Sequence, residues 1–375
     1  MSDATRFAAD FARLYPECGA PRVVLDDDVL KEAEFARRIA AAYWPPDFAR
    51  DIGFDFSAFV YNSYGANAFA GWEEDRHWIG MSTGLLYALA ELCTRVAAAF
   101  PLPDTAEAPP VTLPAADGTG FRFRKADFGD PIEHNRAFFQ RAGLFPKLRL
   151  RVLNTLWLDC LVQIWRHELF HAALGHSRYI RSRFGLRTLS ERMNDSAPAP
   201  DAAETVAALE FHADWAAFGS ILRTSLSGMD PAGSDLCASL GAVHRHAITV
   251  AAGLALPLYF AHDERRAGAR PATHPSAAAR LVCFLARIDE LEPEKRETWN
   301  AAVELAVSVM RTLAREHRDF AVFDAFAGTD ELTRARAEWL IRADRFEAMQ
   351  EALAPYAVLP LGHPHQGAIL PLMTF

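Results

Sequence analysis

Paired cysteines are missing from this chain. Its five, Cys18, Cys93, Cys160, Cys237 and Cys283, stand far apart and form no C-x-x-C. That spacing excludes a disulfide framework and a cysteine-based zinc site, and leaves each as a reduced core thiol. An excess of basic charge is missing too. Against 39 Lys and Arg stand 48 Asp and Glu, a net charge of −9. Nucleic acid selects basic patches, so it is not an expected partner. Residues 1 to 20 have no basic stretch leading into an apolar one, so no secretory signal is expected and the chain reads as cytoplasmic. The run that most resembles a membrane span, "AITVAAGLALPLYFA" over 247–261, contains Pro257 and is too short for a bilayer, which needs about 18 or more apolar residues. A buried helix is expected there, and no membrane span.

With 375 residues, 51% of them apolar, the chain can bury a large core in two or three domains or one elaborated enzyme domain. Helical periodicity marks residues 28–43, 83–100, about 150–176, 201–226, about 235–261 and most of 294–355. Asp201, with Glu204 three residues on, has the spacing of a capping box. "AFVYNSYGANAFAG" and "RHWIGMS" read as two extended segments separated by a polar turn. Residues 101–120, dense in Pro, Ala and Gly, read as a long loop. The expected fold is α+β and predominantly helical. It divides into an N-terminal helical segment (1–60), a core (61–290) carrying an insertion (101–150), and a helical C-terminal extension (291–375).

Chemistry concentrates in "HELFHAALGH", residues 167–176. Residues four apart share a helix face, so His167 and His171 can offer two imidazoles to one ion. Glu168, about 100° round the helix, can reach a water at that ion and act as general base. The H-E-x-x-H spelling predicts a zinc helix over an incidental pair of buried histidines. A third ligand is then required. A histidine six residues beyond His171 would mark one known pattern, but Ser177 stands there, and His176 falls on a different face of a continuous helix. His176 therefore reads as a structural or outer residue. The stronger candidate is Glu210 in "LEFHADWAAF", a helix apolar around most of its circumference, with His212 as a less favoured alternative. Asp214, one turn on, is placed to accept a hydrogen bond from a ligand histidine and fix its tautomer.

H-E-x-x-H followed by E-x-x-A-D (Glu210 to Asp214) resembles the minigluzincins, the HtpX and CAAX prenyl protease family of zinc peptidases. Three further segments are similar: "ANAFAG" with "WIGMSTGLLYAL", "HAALGH", and "THPSAAARL". They follow the family's order from about 61 to 285. The resemblance implies a zincin core with a small edge β-sheet. It implies His167, His171 and Glu210 as Zn2+ ligands and Glu168 as base. It places Asn67, Ala68, Phe69 and Ala70 on an edge strand where a peptide substrate pairs by β-augmentation. By the same analogy His274 stabilises the oxyanion and Arg280 braces Glu210. The absent spans and the 101–150 insertion depart from the membrane enzymes. The absent spans also suggest a resemblance to the Lit-type phage-exclusion peptidases, which share H-E-x-x-H, and no motif favours one group over the other.

The expected function is that of a soluble zinc endopeptidase acting on a protein or peptide substrate. The alternatives are a catalytically silent zincin-fold scaffold and a defence or toxin effector with the same chemistry. The C-terminal region reads as a buttress, with a regulatory protein partner as the other possibility. The tail histidines His363 and His365 read as incidental.

Overall fold

The computed structural model describes residues 56–61, 67–73, 76–102, 145–186, 188–190, 200–226, 238–267, 274–289, 293–317, 320–321, 323 and 329–357. The expected helix over 28–43, most of the 101–150 insertion and the tail histidines lie outside them.

Four strands form one small sheet: β1 (Phe56–Tyr61), β2 (Ala68–Glu73), β3 (Arg76–Ser82) and β4 (Thr188–Ser190), in the order β1-β3-β2-β4. The aromatic-rich stretch that reads as one extended segment is thus two strands, with β1 parallel to β3 and β2 antiparallel to it. Phe69 faces Gly80 across the β2–β3 pair. A Cβ at Gly80 would sit 2.2 Å from the Phe69 ring, so the ring can lie over β3 only because that position has no side chain.

The expected edge strand is corrected here. β2 lies inside the sheet, bonded to β3 on one side and along Phe69–Gly71 to β4 on the other. Ala68, Phe69 and Ala70 are fully buried. β4 comes from far along the chain and takes the backbone groups that a paired peptide would have used at Phe69 to Ala70. Asn67, just before β2, is bound instead to the end of β3: its amide donates to the Ser82 hydroxyl, and its carbonyl accepts from the Ser82 amide.

Helix α1 (Thr83–Ala99) leaves β3 without a loop, capped at its N-terminus by the Ser82 hydroxyl, which also accepts from the Leu85 amide. Its C-terminal end is capped from another element. Arg149, near the start of α2 (Lys147–Ala173), donates to the carbonyls of Ala97, Ala98 and Phe100. A helix end leaves such carbonyls without partners, and a buried guanidinium supplies them. α2 itself is buried on nearly every side and receives α1, α4 (Pro200–Leu226), α5 (Ala242–Ala267) and β2. It is the axis of the molecule.

α5 contains the run that resembled a membrane span. It packs against α2, where Asp159 accepts from Arg245 and Thr249 of α5. Among the described residues no helix is long and apolar enough to cross a membrane. Cys93 of α1 and Cys160 of α2 are buried free thiols with sulfurs 3.7 Å apart, and Cys283 is a third.

The C-terminal helices α6 (Ala277–Asp289), α7 (Pro293–Glu316) and α8 (Thr329–Leu353), followed by a 3-10 turn (Ala354–Tyr356), close over the core. α7 packs on α5, while α8 packs on α4 and α6. α8 also carries Phe346, Met349 and Leu353, the i, i+3, i+7 stripe of an amphipathic helix. They join a second apolar cluster with Tyr179, Ile180, Leu189 and Leu209. Each such buried side chain contributes about 1.5–3 kcal/mol, enough to hold α8 against the elements that build the site.

Candidate metal centre

α2 ends at Ala173, and Gly175 then takes φ +77, a left-handed conformation that ends the helix. A Cβ on Gly175 would meet the Tyr356 backbone at 2.3 Å, so the position is restricted by close approach as well as by φ. The next helix, α3 (His176–Phe184), starts at once. This break corrects the reading of one helix running to 176. His176 is not on another face of α2; it is carried back onto His171.

His167 and His171 sit one turn apart near the end of α2, and Glu210 and Asp214 one turn apart on α4. His167 meets Asp214 and Glu210, and His171 meets Glu210, so ascending residues on α2 pair with descending ones on α4. That is the pattern of antiparallel neighbours. The Nε2 atoms of His167 and His171 are 2.9 Å apart. Glu210 Oε2 lies 3.2 Å from the first, and its Oε1 3.3 Å from the second.

Among the described residues His167, His171 and Glu210 are the group of donors able to hold a metal ion. In a tetrahedral site with ligands at about 2.0–2.1 Å, the ligand atoms stand about 3.3 Å from one another. The two imidazole–carboxylate separations, 3.2 and 3.3 Å, match that spacing, and the imidazole–imidazole separation of 2.9 Å is shorter. Two imidazole nitrogens and one carboxylate are also the donor set of catalytic zinc.

Electrostatics fit the same picture. Burial opposes a proton on His167, but the Asp214 and Glu210 carboxylates outweigh it and hold the imidazole well above its usual pKa. Burial raises Glu210, yet His171, His274 and the hydrogen bonds from His167 and His171 hold it well below the usual carboxylate range. Burial keeps His171 below its usual value despite Glu210. The carboxylates beside it thus favour a proton on His167. His167 Nδ1 lies 2.9 Å from Asp214 Oδ1, which leaves Nε2 facing the other donors.

Glu168 is buried beside His167 on α2 and is not one of the three clustered donors. The two residues carried by family resemblance from the T-H-P…R element also come to this place. His274 Nε2 and Arg280 Nη2 each lie 3.8 Å from Glu210 Oε2, and Arg280 Nε lies 3.4 Å from Asp214 Oδ2. Ser276 fixes the approach of this element. Its hydroxyl caps α6 by accepting from the Ala279 amide and donates to Glu338 of α8. Asn67, Ala68, Phe69 and Ala70 belong to the sheet as described above, where β2 packs on α2.

His176 takes the outer place that the sequence implies, and His212, the less favoured ligand candidate, stands beyond it. His176 Nδ1 lies 2.9 Å from His171 Nδ1, and His176 Nε2 lies 3.0 Å from His212 Nδ1. Burial holds both imidazoles neutral, His176 well below its usual pKa and His212 at about 3, with the neighbouring histidines adding to the effect. One signal for this was present: a glycine before His176 is the common residue at a helix C-terminus.

Residues 135–302 match the family model of Peptidase U49, the Lit-type peptidases. The matched segment holds all three clustered donors, Glu168, Asp214, His274 and Arg280, and this likeness supports a peptidase. Of the two groups that the sequence resembles, the match falls on the Lit-type side. No curated protein and no solved structure matches the chain.

Proposed function

We propose that the protein is a zinc-dependent endopeptidase that cleaves peptide bonds in a protein substrate. The observation that carries this is the buried His167–His171–Glu210 group, whose donor atoms lie close enough to hold one ion, with Glu168 next to it in an H-E-x-x-H helix. The likeness to Peptidase U49 supports the same reaction class independently.

Zinc, when bound, supplies a Lewis acid that polarises a carbonyl and lowers the pKa of water to about 7. The chain's own residues do the rest. His167, His171 and Glu210 hold the ion, and Asp214 fixes His167 with Nε2 inward. Glu168 takes the proton of the attacking water and passes it to the leaving amine. His274 donates to the oxygen on which negative charge develops. Arg280, between Glu210 and Asp214, keeps the ligand carboxylate from turning away.

A purified zinc-loaded protein added to a cell lysate tests this reading. New protein N-termini should appear, vanish with a zinc chelator and return when zinc is restored, read by terminal-labelling mass spectrometry. A zinc-loaded protein that yields none in any proteome tried would favour the silent scaffold.

The raised proton affinity of His167 gives a pH dependence. Below its elevated pKa the Nε2 proton must leave before that nitrogen can bind metal, so apparent zinc affinity should rise with pH across neutrality. Zinc binding should therefore release protons. Calorimetry in buffers of different ionisation enthalpy measures it. Zero release would place a neutral His167 in the metal-free protein.

A further inference from the structure

We infer that His176 and His212 form an imidazole chain that positions the ligand His171, and that α8 seats the far end of that chain. The inference rests on the metal reading above and concerns residues that this reading leaves without a role.

The hydrogen-bond directions follow from chemistry. A metal takes the lone pair on the inward Nε2 of His171, so its proton is on Nδ1. That N–H points at His176 Nδ1, 2.9 Å away, which must accept. A neutral imidazole that accepts at Nδ1 carries its proton on Nε2. His176 Nε2 therefore donates to His212 Nδ1 at 3.0 Å, and His212 in turn carries its proton on Nε2. Each link dictates the next, and all run away from the metal. His167 uses a carboxylate, Asp214, for the same purpose. The two ligand histidines are thus held by different devices, one charged and one neutral.

The chain is built into the fold. His176 stands where it does because Gly175 breaks α2, and that break is packed under the Tyr356 backbone at the end of α8. The Tyr356 hydroxyl lies 2.8 Å from Ser182 Oγ of α3, and its ring is 5.6 Å from that of Tyr179. At the other end His212 meets the Phe346 ring of α8, centroids 3.7 Å apart. His171, His176 and His212 are all buried. Among the described residues the second pair belongs to no three-donor group, so these are hydrogen bonds rather than a second metal site. α8 lies beyond the segment that matches Peptidase U49, so it adds a support that the family likeness does not cover.

Zinc affinity, by competition with a chromophoric chelator, and the visible absorption of the cobalt-substituted protein test the chain. The variants are His176→Phe, His176→Gln, His212→Phe and His212→Gln, each checked for folding by circular dichroism in the metal-free state. Phenylalanine fills the space and breaks the bonds, whereas glutamine can accept and donate along the same line. His176→Phe should weaken zinc by roughly 10–100-fold and shift the cobalt spectrum. His212→Phe should do the same to a smaller degree, and both glutamine variants should recover most of the loss. Wild-type affinity and spectrum in both phenylalanine variants would overturn the chain and leave the metal site standing. No zinc in the wild type would overturn the metal reading and this inference with it. Should the phenylalanine variants not fold, nitrogen-15 spectra of histidine rings in the zinc-loaded wild type decide. A proton on His176 Nε2 upholds the direction of the chain, and a proton on its Nδ1 overturns it.

Discussion

Glu168→Gln is expected to bind zinc as the wild type does and to hydrolyse substrate roughly 10²–10⁴-fold more slowly, the range that a positioned base contributes. The two halves of this result depend on different features. Glu168 follows His167 on α2 and is buried, but it stands outside the three clustered donors. Removing its charge should therefore leave the metal in place. Glutamine keeps the volume and the side-chain oxygen, so the helix should pack unchanged. What is lost is the group that accepts a proton from water. The measurement pairs metal content with turnover of a peptide spanning an identified cleavage site. Full zinc and little turnover would fix Glu168 as the base. Full zinc with wild-type turnover would remove it from the chemistry, and loss of zinc would make it a ligand or a structural partner.

The three clustered donors are legible in the sequence because helical spacing is rigid. His167 and His171 share a face whatever surrounds them, and an acidic residue such as Glu210 in an otherwise apolar helix requires a buried partner. The approach of His274 and Arg280 is not legible from spacing and comes only through family resemblance. It depends on Ser276 being held by Glu338, a contact between elements far apart in the chain.

The edge strand failed for a related reason. Alternation shows that β2 is a strand but not which strands flank it, and β4 has only three residues and no strong pattern. Periodicity extends α2 past Gly175 and so misplaces His176, because a single left-handed residue changes the direction of everything after it. The role of α8 was hidden in another way. The stripe of Phe346, Met349 and Leu353 shows which face is buried, but periodicity never names what that face will cover. That it covers His212 is a property of the packed molecule alone.

Glu210→Ala should cost more zinc affinity than any outer residue of the site, well beyond the roughly 10–100-fold expected where only a supporting hydrogen bond is lost. It removes one of the three clustered donors and also unbalances the charges that remain. In the metal-free protein this carboxylate faces His167, His171, His274 and Arg280 at 3.2–3.8 Å. Taking away one partner of a buried ion pair costs about 3–5 kcal/mol, because the other charge stays buried without compensation. Asp214 offsets part of that by remaining against His167 and Arg280. Glu210→Ala should thus unfold at lower denaturant concentration even without metal, and zinc should no longer stabilise it appreciably. Glu210→Gln separates the two effects: it keeps an oxygen donor without the charge, so weak zinc binding should survive. Chemical unfolding with and without zinc, beside metal analysis, reads both. If Glu210→Ala instead retained one tightly held zinc, the third ligand would have to be another residue. His274, whose Nε2 already stands 3.8 Å from the Glu210 carboxylate, would be the next to change.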